Sequence, residues 1–124
     1  VVADFIPTQG KMVTIIDVTG RGYQLESPGY LRFKIGKSFY QLETSQEGDS
    51  LFIVFGDLTN KQQTYGAGRF IDTALPDAQG KVVIDFNKAY NPPCAFTPFA
   101  TCPLPTAANK LAVEIKAGEQ FHGH

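Results

Sequence analysis

The sequence holds none of the short signatures that announce a reaction. It has no Walker loop, no GxSxG nucleophile elbow, no HExxH zinc helix and no CxxC pair. Its only histidines, His122 and His124, sit at the extreme C-terminal end, so a metal centre needing three or four protein ligands lacks its usual donors, and we assign none. Lys and Arg number 11 against 12 Asp and Glu, giving a formal net charge of −1, and no basic cluster occurs along the chain. Without a positive field to meet a phosphate backbone, nucleic acid is not an expected partner. No apolar run approaches the ~18 residues of a membrane-spanning helix, and the opening VVADFIPTQG lacks the charged start and long apolar stretch of an export signal.

Convincing amphipathic helices are also missing. What is present instead is 10 Phe, 5 Tyr, 12 Gly and 8 Pro in 124 residues, with many Val and Ile, the composition of short strands separated by turns. The length suits a single β domain over residues 1–124 with a modest core. Alternation locates the strands. In KMVTIIDV, Met12, Thr14, Ile16 and Val18 fall on one face and Val13, Ile15 and Asp17 on the other. Both faces are largely apolar, which predicts a strand covered on both sides or lining a barrel. In YLRFKIGKSFYQLE, two alternating runs flank Gly36 and Lys37, and a two-residue turn there sets Ile35 opposite Ser38, Phe33 opposite Tyr40 and Leu31 opposite Leu42. SLFIVFGD, TYGAGRFID, KVVIDFN and KLAVEIKAG supply further candidates. The expected fold is therefore all-β: an antiparallel barrel or sandwich of about seven to nine strands.

A hairpin between TYGAGRFID and KVVIDFN, turning near Asp77 to Gln79, would bring Arg69 opposite Asp85, with Asn87 continuing the face and Tyr65 sharing the Arg69 side. Val82, Ile84 and Phe86 then form the apolar side. Gly66 and Gly68 remove two side chains beside Arg69, the mark of a bulge or of a close approach by backbone or ligand. This reads either as a polar site or as a buried ion pair fixing the register.

Beyond Asn87 comes DFNKAYNPPCAFTPFATCPLP, residues 85–105, with five prolines and both cysteines. Pro92, Pro93, Pro98, Pro103 and Pro105 fix backbone torsions and bar the segment from a central strand, so a long, rigid loop capping one end of the sheets is expected. Cys94 and Cys102 are separated by seven residues. A disulfide between them would add roughly 2.5 kcal/mol in the chain-entropy model. Two buried thiols remain an open alternative, whereas a nucleophilic cysteine lacks a neighbouring histidine.

The blocks LFIVFGDLTNKQQTYGAGRFID, VVIDFNKAYNPPCAFTPFATCPLP and NKLAVEIKAGE resemble those of an uncharacterised prokaryotic family, domain of unknown function 1684. The matching positions include Asp57, Tyr65, Gly68, Arg69, Asp85, Asn87, Tyr90, Asn91, Cys94, Cys102 and Asn109. Thr106, Ala107 and Ala108 depart from the family's usual PPPEN before Asn109. The resemblance implies no established activity. It does imply that relatives carry additional N-terminal sequence, in some cases an export signal, so the chain reads as a mature or shortened form. A periplasmic or other extracytoplasmic setting would favour the disulfide, and a cytoplasmic one the thiols.

Two functional classes follow. One is a non-catalytic domain that binds a small molecule or peptide beneath the 87–105 loop, using Tyr65, Arg69, Asp85, Asn87, Tyr90 and Asn91. The other is an enzyme with Asp85 as general base and Arg69 as anion stabiliser. A flavin-binding split barrel is a fold-level analogy without a recognisable phosphate-binding cluster.

Overall fold

The structure, a computed structural model, describes residues 1–58, 68–92, 102–115 and 117–119. It is all-β, with antiparallel strands and, among the described residues, no α-helix. Seven strands follow in chain order: β1 (Val2–Ile16), β2 (Gly22–Ile35), β3 (Ser38–Glu43), β4 (Ser45–Glu47), β5 (Ser50–Phe55), β6 (Arg69–Ala74) and β7 (Lys81–Val83). They form a four-stranded sheet of order β3-β2-β1-β7 and a three-stranded sheet of order β4-β5-β6.

The β2–β3 hairpin has the register that alternation predicts. Ile35 faces Ser38, Phe33 faces Tyr40, Leu31 faces Leu42 and Arg32 faces Gln41. Gly36, at φ 62°, makes the turn, where the left-handed backbone is costly for other residues. In β5, Leu51, Ile53 and Phe55 are buried while the intervening residues are only half-buried. These three side chains meet Leu31, Phe33 and Leu42 of the first sheet, together with Ile71, Val82, Ile84 and Phe86, in one continuous core.

β1 and β2 are long, and they change role along their length. From Asp4↔Arg32 to Pro7↔Gly29 they belong to the core sheet; the register then shifts between Pro7 and Lys11. Such a bulge bends the pair and raises its twist. At the bend the strands pass so close that a Cβ on Gly29 would lie 2.5 Å from the Ile6 carbonyl oxygen and from Phe5 Cζ. The corner is pinned to the start of the second sheet: Ser27 Oγ donates to Thr44 O at 2.7 Å and Thr44 Oγ1 to Gly29 O at 2.7 Å. Beyond it, Lys11↔Ser27 to Ile16↔Gly22 continue as a two-stranded ribbon. Its tip is met by the end of the proline-rich segment, where Val18 N donates to Cys102 O at 3.0 Å and Leu104 N to Ile16 O at 2.8 Å.

Three expectations are corrected. The ribbon is not covered on both faces: Met12, Ile16 and Val18 are 53%, 49% and 38% exposed, while Val13 and Ile15 on the other face are half-buried. The hairpin expected between 64–72 and 81–87 does not form over the described residues 68–72 and 81–87. β6 pairs with β5, and β7 pairs with β1 through Ala3↔Val82. The turn between them changes sheets: Asp77 Oδ1 accepts from Gln79 N and Lys81 N, both at 2.9 Å, and Gly80 O accepts from Phe5 N of β1 at 2.8 Å. Val82, Ile84 and Phe86 do share a buried face. Finally, KLAVEIKAG is not a regular strand. It keeps strand-like alternation, with Leu111 and Ile115 buried, but it runs beside 56–58 with only scattered bonds, Leu111 N to Gly56 O and Leu58 N to Val113 O.

Candidate functional site

Arg69 is the largest fully buried side chain among the described residues, and it is not aimed at Asp85. Its guanidinium donates to Ile115 O at 2.7 Å and Ala117 O at 2.6 Å, and it lies over the Phe55 ring at 5.3 Å. The acid beside it is Asp57, 3.8 Å away and equally inaccessible, whose Oδ2 accepts from Ile115 N. Burial lowers the Arg69 pKa, partly offset by the charge of Asp57. The irregular C-terminal segment leaves carbonyls without ladder partners, and a forked cation supplies the donors. Gly68 permits this close packing: at φ 93°, an added Cβ would meet the Phe55 carbonyl oxygen at 2.5 Å.

The remaining predicted residues disperse. Asp85 is the N-cap of a short 3-10 turn, its Oδ1 accepting from Asn87 N at 3.0 Å, and Asn87 is exposed. Asn91 is buried, and its N–H donates to Glu119 Oε1 at 2.7 Å. Tyr65, Gly66 and Cys94 lie outside the described residues, as does the middle of the expected capping loop, residues 93–101. Cys102 is buried and disulfide-bonded. Arg69, Asp85 and Asn87 therefore do not make one polar site. The antiparallel pairing that would have joined them belongs to two different sheets.

The structure instead forms a half-open cavity of about 500 Å³ on the far side of the second sheet. Strand parity explains it. The β5 and β6 residues that alternate with the core, Phe52, Val54 and Phe70, face away from it and line one wall. The ribbon provides the opposite wall through Val13, Ile15, Tyr23 and Leu25, the side chains carried on its inner face beyond the bulge. Cys102, Pro103 and Leu104 close a third side. Among the described residues, Tyr90 and Cys102 are the predicted site residues found here.

Polar groups punctuate this apolar lining. Tyr90 is drawn against β6 by reciprocal backbone bonds with Phe70, both 2.9 Å, and its hydroxyl donates to Asp72 Oδ2 at 2.9 Å. Burial, then that hydrogen bond, pushes its pKa up to about 12, so at neutral pH it is a phenol and no base. Burial also raises Tyr23. Asn109 brackets the floor: its side chain donates to Glu43 O and Val54 O, both 2.9 Å, and accepts from Glu43 N at 2.7 Å. Asn109 thus keeps a structural role despite the altered residues before it. Thr106 Oγ1 is buried without a hydrogen-bond partner.

Sequence reasoning missed this wall, although SLFIVF carried the signal: apolar residues on both faces of a strand require cover on both sides. Among the described residues, no three His, Cys, Asp or Glu side chains converge as a metal site, and no helix is long and apolar enough to cross a membrane.

No curated protein matches the sequence significantly. A similar solved structure is the solution NMR structure of an uncharacterised protein of Haloarcula marismortui. It is 28% identical, with a TM-score of 0.76, and the match covers 96% of this chain and 69% of that one. Over residues 1–120 the chain matches the family described as protein of unknown function (DUF1684), and it belongs to that family.

Proposed function

We propose that the chain is a non-catalytic binding domain for a small molecule, held between the outer face of the second sheet and the β1–β2 ribbon. The carrying observation is the cavity itself, about 500 Å³ with walls from three separate segments, inside the about 300–1,000 Å³ range of small-molecule sites. Converging walls suit a compact ligand better than a peptide, which would use an open strand edge. The acid–base alternative loses its basis, because Arg69 is committed to carbonyls and Asp57, and Asp85 to its cap. A flavin would need a cation for its phosphate, and no Lys or Arg is among the described lining residues.

The test uses Nile red, an uncharged dye that brightens in apolar surroundings, with wild type and Leu25→Trp. Leu25 lines the cavity yet is 40% exposed, so the indole fills space at little cost to folding. We expect saturable binding by wild type and a loss of about tenfold or more in the variant, with melting within a few degrees of wild type. Equal binding by both proteins, or none by wild type, overturns the reading.

A further inference from the structure

Resting on that reading of the cavity, we propose that its ligand is an organic cation: an alkylammonium or quaternary ammonium head on an apolar body, the head lying against Phe52, Phe70 and Tyr90.

The first argument is the arrangement of rings. Phe52 and Phe70 stand edge to face, centroids 4.9 Å apart at 73°, and Phe70 and Tyr90 do the same at 5.9 Å and 87°. Three rings in successive near-perpendicular contact form adjoining walls, and an aromatic face carries the negative side of its quadrupole. A cation within ~6 Å of such faces is attracted, most strongly where water is excluded. Tyr90 is the richest of the three, because donating its proton to Asp72 polarises the phenol toward negative charge.

The second argument is charge. Glu26, Glu43 and Glu47 line the cavity, and no described lining residue is Lys or Arg. Glu43 is held by Lys11 at 3.1 Å, whereas Glu47 is exposed and, among the described residues, has no ion-pair partner to mask it from an incoming ligand. Glu47 lies close enough to Tyr90 to act on its ionisation, which places a carboxylate beside the ring wall. An anionic ligand would meet carboxylates and ring faces together, both repulsive. A neutral one would fill the walls without using either.

Octyltrimethylammonium, 1-octanol and octanoate share a chain and differ in the head. Titrated below micelle-forming concentration by calorimetry, with the aromatic proton signals followed by NMR, the cation is expected to bind about tenfold more tightly than octanol, octanoate weakest of all. Glu47→Gln, at an exposed position, should weaken the cation several-fold and flatten its salt dependence while leaving octanol unchanged. Phe52→Leu should do the same without the salt effect. Equal affinities for the three probes, or variants that treat cation and alcohol alike, overturn the cationic ligand and leave the cavity reading standing. Binding by none of the three overturns both.

Discussion

At the scale of single residues, Arg69 shows how a charge can serve a fold without serving a site. Its fork satisfies carbonyls of a segment that has no ladder of its own, and Asp57 sits behind it with a side chain wholly out of solvent. Removing the cation would leave two carbonyls without its donors and take the nearby positive charge from a buried carboxylate. We expect Arg69→Met to destabilise by about 3–5 kcal/mol in urea unfolding. Asp57→Asn, which keeps shape and can keep accepting from Ile115 N, should cost less. The double variant should fall short of the sum, since the two share one network. A loss below ~1 kcal/mol for Arg69→Met would mean that water reaches the carbonyls and that the buried pair is not what anchors the C-terminal segment. The sequence made Arg69 conspicuous through the glycines around it, and Gly68 does mark a close backbone approach. It could not identify the acid, because Asp57 and Asp85 differ only in which sheet their strands join.

At the scale of elements, local turns were legible and sheet membership was not. Gly36 and Lys37 are flanked by two runs whose alternation admits one register, so β2 and β3 could be paired residue by residue. For β7 alternation gave the correct buried face but not the partner strand, since the turn at Asp77 carries it to β1 while β6 pairs with β5. The ribbon tip carries a similar small determinant. Asp17 Oδ1 accepts from Thr19 Oγ1, Thr19 N and Arg21 N, and the Thr19 hydroxyl leads in holding the carboxyl below its ordinary 3.8, against an opposing push from burial. A depressed folded pKa means that the ionised group favours the native state. Its contribution is complete above the unfolded value and is lost as pH falls through the folded one. Thermal melts should therefore show Asp17→Asn less stable than wild type at pH 6, the gap closing below pH 3.8. A gap independent of pH would assign the cost to altered turn geometry instead of charge.

At the scale of the whole molecule, the composition announced an all-β, antiparallel protein, but not that one pair of strands would serve both layers. That division depends on a register shift at Pro7/Lys11, which leaves no periodic trace in sequence. Mechanically, the ribbon is a beam clamped at the Ser27–Thr44 corner and tied at its free end by Val18 to Cys102 and by Leu104 to Ile16. Leu31 and Leu42, by contrast, are partners in the β2–β3 ladder with side chains wholly buried in the core, and they open only when the sheet does. Amide exchange should accordingly run faster at Val18 and Leu104 than at those two core positions, through local rather than global opening. Identical protection at all four would show the beam to be rigid with the core. Leu104→Pro deletes one tie by removing its N–H, and for any molecule lodged beneath the beam it should quicken entry and exit together while leaving their ratio nearly unchanged. Dwell time in this fold would then be set by two backbone ties at the tip, and affinity by the rings and carboxylates of the wall, so that each could vary in evolution without disturbing the other.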